Sequence, residues 1–321
     1  MITTTKRILL VGVALLVVGA LIAAAALASM HFDFRRLGTR QTVTNTYAPA
    51  GDFRDILLSL NTEKLSFLPS EDGKLRVICV EEEGLQHVVT VSDGVLGIQT
   101  VDTRKWYEHI GVNFGETSVT VYLPNKDYGA LTLGTDTGDV TLPADFRFES
   151  VLMTASTGDI DLRADVEGNV SIRTSTGDIS LNGLQADSLD LTASTGHVRV
   201  SDCTVEGNVK AQTSTGKVGF TDLRCARAQV TTTTGEADFI RVLASESFRI
   251  ETDTGDVRFD RSDAPEIRVE TDTGDVRGTL LTPKTFDYST DTGRVKLPGS
   301  EPGGRCELKS DTGDFEITIA G

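Results

Sequence analysis

From Leu131 onward the chain alternates apolar and polar residues in short runs, and the runs recur at a fixed interval. A Thr-Gly pair breaks them ten times, with glycines at Gly138, Gly158, Gly177, Gly196, Gly216, Gly235, Gly255, Gly274, Gly293 and Gly313. Successive glycines are 19 or 20 residues apart. Aligned on them, the position seven before reads Leu131, Val151, Val170, Leu189, Val209, Ala228, Phe248, Ile267, Phe286 and Cys306. The columns five before and two after are also apolar, and four after only Gly278 interrupts. Polar residues fill the positions between. Alternation on both sides of a turn predicts two half-buried strands per repeat. A weaker apolar position seven after the glycine (Leu184, Cys203, Leu223, Val242, Leu281) predicts a third side. Each repeat is then one turn around a filled interior that no single turn could bury alone.

The fold class is therefore all-β: a parallel β-solenoid of about ten 19–20-residue coils over residues 131–321. Stacked about 4.8 Å apart, ten coils span roughly 48 Å. The corner glycines are expected to supply a positive φ. The Asp or Ser two residues earlier is expected to accept a backbone N–H and fix the turn. Residues 46–130 are β-rich but out of register, with turn signals at Glu71-Asp72-Gly73 and Ser92-Asp93-Gly94 and an aromatic patch of Trp106, Tyr107 and Phe114. They read as irregular first coils and a cap, since the end of a solenoid must meet solvent.

Ahead of the β region, Ile8–Ala28 is a run of 21 residues without a charge. As a helix it would be about 31 Å long, matching the hydrocarbon core of a bilayer. Residues 1–7 become a cytoplasmic tip, 8–28 one transmembrane helix, and 29–45 a juxtamembrane linker. The rival is a signal peptide cleaved after Ala26-Leu27-Ala28, but the run exceeds the usual signal core, which favours a retained anchor. A large C-terminal domain is translocated largely regardless of nearby charge. The expected location is a cell membrane, single-pass, with the bulk extracytoplasmic. The net charge of −16 argues against nucleic acid as a partner and against an electrostatic grip on anionic lipid.

A short hydrophobic helix, irregular strands, the step Val119–Pro124 and serial T-G-D-[VI]-x-[LIV] units resemble the bacterial putative-adhesin family, a domain family of unknown function. The likeness covers residues 46–321. It implies an envelope protein, in some members tied to envelope-stress responses, and it transfers no catalytic residue.

Asp-Thr-Gly is also the signature of pepsin-like proteases, which pair two carboxylates. Here it occurs at Asp136, Asp253, Asp272, Asp291 and Asp311, while Ser or Thr replaces the Asp in the central repeats without disturbing the period. Turn chemistry covers all ten copies, so no enzyme is inferred. An acidic ridge of Asp253, Asp256, Asp272, Asp275, Asp311 and Asp314 has the oxygen-rich character of a Ca²⁺ ladder. His197, Lys217 and Arg294 in the column after the glycine favour a solvated edge instead. Cys203 and Cys306 fall in apolar columns as buried thiols, and a Cys203–Cys225 bridge across neighbouring coils stays open. His31, His87, His109 and His197 show no metal-ligand spacing. No cofactor is implied.

The last strand, with Phe315, Ile317 and Ile319, has only two residues after it. It is expected to be an open edge that recruits a partner or a second copy. The leading function is a membrane-anchored, non-catalytic surface for binding, adhesion or envelope-stress sensing, with envelope polysaccharide a candidate partner. A polysaccharide-acting β-helix enzyme and a self-assembling structural element are the alternatives. The enzyme would need a cleft carried on long loops, and the loops here are short.

Overall fold

A computed structural model describes residues 16–21, 24, 42–82, 84–104 and 116–320. Residues 16–21 and 24 are helical, and no helix among the described residues is long and apolar enough to cross a membrane. The transmembrane helix is thus not supported by the structure, and the rest of Ile8–Ala28 lies outside the described residues. So do the tip at 1–7, the linker as far as residue 41, Trp106, Tyr107 and Phe114.

The solenoid itself is as the pattern demands. The strand before each Thr-Gly pairs in parallel with its equivalent in the next coil, so that Val151 meets Val170 and then Leu189. The strand after each pair does the same, Ile160 meeting Ile179 and then Val198. A short third side carries Leu184, Cys203, Leu223 and Val242 inward. The four apolar columns fill one continuous core, including a cluster of Phe220, Phe239, Phe248 and Phe259.

At the N-terminal end the first strands are β1 (Thr42–Tyr47), β2 (Asp55–Leu60), β3 (Lys64–Pro69), β4 (Arg76–Glu82), β5 (Leu85–Ser92), β6 (Val95–Asp102), β7 (Ser118–Leu123), β8 (Asp127–Thr137) and β9 (Val140–Leu142). They do not stack in chain order. β2 lies between β6 and β8, and β3 between β7 and β9. β2–β3 and β6–β7 therefore add two coils to the ten glycine-centred ones. Antiparallel strands close this end: β5 covers β6, β4 covers β7, and β1 covers β4.

The C-terminal end repeats the exchange. Gly304–Thr312 lies between Glu266–Thr273 and Lys284–Thr292, and Phe315–Ile319 lies between Val276–Leu280 and Val295–Lys296. The last coil of the sequence is thus inserted beneath the one before it. This corrects the expectation of an open edge at Phe315, Ile317 and Ile319. Phe315 and Ile317 are 0% and 2% exposed, and Ile319 is half-buried against the core. Phe315 and Glu316 pair on both sides, and Ile317–Ile319 pair with Gly278–Leu280. The outermost coil is Lys284–Lys296, with Tyr288 52% and Val295 38% exposed. Gly303 and Gly304 let the returning chain pass, because a Cβ there would meet the carbonyl oxygens of Pro283 and Pro265 at 2.1 and 2.3 Å.

Candidate functional site

The ten glycines form a column along one corner, and their role differs from the one expected. Six of them, Gly138, Gly158, Gly177, Gly196, Gly216 and Gly255, have a positive φ in the range that favours glycine. All ten share a tighter constraint. A Cβ on any of them would lie 1.7–2.2 Å from a backbone carbonyl of the adjacent coil, for Gly235 that of Gly216 at 1.7 Å. The column continues in stacking order as Gly274, Gly313, Gly293. Close approach of main chains requires glycine here, whatever the φ.

The acidic ridge divides into two rows. Asp253, Asp272 and Asp311, two residues before the glycine, are exposed. Asp256, Asp275 and Asp314, just after it, accept backbone N–H groups from the next coil in space. Asp275 N–H donates to Asp256 at 3.0 Å, Asp314 N–H to Asp275 at 2.7 Å, and Arg294 N–H to Asp314 at 2.8 Å. Asp139, Asp159 and Asp178 do the same at the other end. The residue that caps the coil-to-coil step therefore follows the glycine rather than preceding it. Burial pushes the Asp178 carboxyl up, but the His197 N–H and the Arg199 guanidinium outweigh it and hold it below the usual range. Arg277 and Arg294 sit on the outer oxygens of Asp275 and Asp314. These carboxylates are engaged by backbone and arginine, and they do not converge on a common point.

The four cysteines are free and buried. Thr204 faces Arg224 across neighbouring coils, so Cys203 and Cys225 are offset by two residues and are not bridged. Burial pushes the Cys225 and Cys306 thiols up to about 12.

Convergence occurs instead inside the N-terminal cap. On β4, Cys79 and Glu81 alternate with Ile78 and Val80 and so share one face. On β5, His87 stands opposite Thr100 of β6. Glu63 occupies the corner between β2 and β3, where its carbonyl fills the place of a preceding glycine against Gly138. All four side chains are buried. His87 Nδ1 is 2.9 Å from Glu81 Oε1, and Nε2 is 3.3 Å from Glu63 Oε1. The His87 backbone N–H donates to the same Glu81 oxygen at 2.8 Å, and the Tyr47 hydroxyl of β1 donates to it at 3.0 Å. Asn45 of β1 donates to the second Glu81 oxygen, and Thr100 donates to Glu63 at 3.3 Å.

Burial works against the charged form of His87, but Cys79 and Glu63 outweigh it and push the pKa up to about 10. Burial likewise raises Glu63 and Glu81, yet hydrogen bonds, led by His87 for Glu63 and by Asn45 for Glu81, bring both below the carboxylate norm. The His87 ring, held between two carboxylates, closes the N-terminal end of the interior. Cys79, Glu81 and His87 each bring one ligand atom to within 4.8 Å of the others, and they are the one such three-residue group among the described residues. His87 shows no ligand spacing in the sequence because its partners lie on other strands. The available signal was Cys79-x-Glu81 on one strand face, followed by His87 on the returning strand.

The structure defines a capped, parallel β-solenoid whose glycine corner repeats with each coil and whose aspartate caps recur towards its two ends. The chain belongs to the Toastrack DUF4097 family, whose model matches residues 53–236 and 207–321. It is similar in fold to a putative adhesin from Parabacteroides distasonis, with 16% identity and a TM-score of 0.54 over 75% of this chain and 98% of that one. A putative adhesin from Parabacteroides merdae gives 15% identity and a TM-score of 0.54, covering 75% and 97%. No curated protein matches.

Proposed function

We propose that the chain is an extracytoplasmic binding scaffold, tethered to a bacterial membrane through residues 8–28, whose solenoid presents a rigid recognition face and carries out no catalysis. The observation that carries this reading is one outward column on the strand before the Thr-Gly corner. Register sets Asp190, Lys210, Gln229, Arg249, Arg268 and Glu307 side by side on successive coils. Rungs about 4.8 Å apart give a straight ladder of polar and charged groups suited to a repeating partner such as an envelope polysaccharide. The name adhesin carried by the two Parabacteroides proteins points the same way. Envelope-stress sensing would use this same face, with the anchor as its link to the membrane.

The test has two arms. Protease added to intact cells should remove the solenoid, and protection would overturn the extracytoplasmic placement. Full-length protein should bind isolated envelope polysaccharide, and Arg249→Glu with Arg268→Glu should weaken binding at least about tenfold with the circular dichroism unchanged. Binding that ignores this double reversal would overturn the recognition face.

Self-association is a second reading, favoured by the outer edge of Lys284–Thr292 and Val295–Lys296, unpaired among the described residues, with its exposed Tyr288 and Val295. Two copies would pair these strands antiparallel about a twofold axis. Arg294 and Lys296 beside Asp287 and Asp291 give this end both signs of charge, so like ends need not repel. Sedimentation of the full chain and of Tyr288→Lys tests it, and a monomer in both cases rules it out.

A further inference from the structure

We propose that the buried cluster of the N-terminal cap is a binding site for one divalent transition-metal ion of the zinc type, with Cys79, Glu81 and His87 as its protein ligands. The donor set is one thiol, one carboxylate oxygen and one imidazole nitrogen, each buried and within 4.8 Å of the others. Sulfur and nitrogen in one site select Zn²⁺ over Mg²⁺ or Ca²⁺, which prefer oxygen. The three ligands come from two strands of the cap and are placed by the antiparallel ladders that close it. The ion takes the His87 Nδ1 side, where Glu81 already stands at 2.9 Å.

The surrounding hydrogen bonds match what a metal site needs around its ligands. Glu63 at 3.3 Å from Nε2 accepts the other ring N–H, so that the lone pair reaches the metal at Nδ1 once the Nδ1 proton leaves. Glu81 is oriented by Asn45 on one oxygen and by the His87 backbone N–H on the other. The Tyr47 hydroxyl donates to the same Glu81 oxygen at 3.0 Å, and a water would complete the four-coordinate set. Binding displaces two protons, one from Cys79 Sγ and one from His87 Nδ1, and forms the metal–sulfur and metal–nitrogen bonds in their place. Affinity therefore rises with pH. Because Asn45 and Tyr47 belong to β1, the ion would also lock that strand.

The experiment is titration of the full-length chain in detergent with Zn²⁺ and with Co²⁺ as its spectroscopic stand-in. The expected result is one ion per chain, with thiolate-to-cobalt charge-transfer absorption and the visible bands of tetrahedral Co²⁺, reversed by excess Zn²⁺. Cys79→Ser should abolish the charge-transfer band, while Cys203→Ser and Cys306→Ser should leave it. Glu63→Gln should keep the spectrum but weaken affinity about 10- to 100-fold, the usual loss when an outer hydrogen-bond partner is removed. Should Cys79→Ser fail to fold, X-ray absorption at the zinc edge of the wild-type chain decides, since it must show one sulfur and at least one imidazole. A folded wild-type chain that takes up no Co²⁺, or one whose band survives Cys79→Ser, overturns the proposal.

Discussion

Gly235→Ala separates two reasons for a glycine. At Gly235 the φ is not in the left-handed range, so conformational freedom gives alanine no penalty. On that basis alone the change should stabilise by about 0.4–1 kcal/mol through the unfolded chain. The structure demands the opposite sign. The new Cβ would lie 1.7 Å from the Gly216 carbonyl oxygen and 2.6 Å from its carbon. Both are main-chain atoms that cannot rotate away, so the two coils must separate. Overpacking costs about 1–3 kcal/mol, and occasionally more. Separation also strains ladder bonds such as Gly216 N–H to Thr234 at 3.0 Å, worth about 1 kcal/mol net. The expected total is about 2–4 kcal/mol of destabilisation. Gly219→Ala is the control, since nothing lies within 4 Å of its Cβ. Urea melts followed by circular dichroism, with amide exchange across residues 208–257 to detect local opening, give the answer. If Gly235→Ala melts at or above wild type, the close-approach account of the corner is wrong.

Val269→Asp buries an unpaired charge in a fully buried column and should cost several kcal/mol, whereas Arg268→Gln beside it should change melting by under about 1 kcal/mol. Ile317→Ala should cost about 2–5 kcal/mol and Tyr288→Ala much less, as judged by thermal melts; the reverse order would place the end of the stack at the C-terminal strand. The depressed Asp178 pKa gives stability that is present above its unfolded value near 3.8 and lost as pH falls through the lower folded value. Asp178→Asn should accordingly flatten the acid limb of a melting-temperature profile, and an unchanged limb would count against the cap.

The parallel array was legible because burial imposes one period on four columns, and Val151, Val170 and Leu189 cannot leave the core without breaking it. The order of the end coils was not legible. Gly274, Gly293 and Gly313 keep the same spacing whether coils stack in sequence or exchange places. A trace remained in Leu297-Pro-Gly-Ser-Glu-Pro-Gly-Gly304, which lacks the apolar third-side residue and carries the glycines that a close crossing needs. The cap cluster was hidden for another reason. Glu63, Cys79 and His87 lie on different elements, and only the antiparallel closure of β4 and β5 over the first coils brings them together. The aspartate rows were visible, but their hydrogen bonds run between coils, so no single repeat could show which row caps the turn.

Crosslinking at the C-terminal end tests the stacking order most directly. In the structure Glu316 lies between Arg277 and Lys296, paired in register with both. The double substitutions Arg277→Cys with Glu316→Cys, and Arg277→Cys with Lys296→Cys, place thiols on one outward column while the native cysteines stay buried. Under mild oxidation the first pair should crosslink rapidly and the second should not. A fast bridge in the second pair and none in the first would mean that the coils stack in chain order, and the exchanged end described here would be wrong.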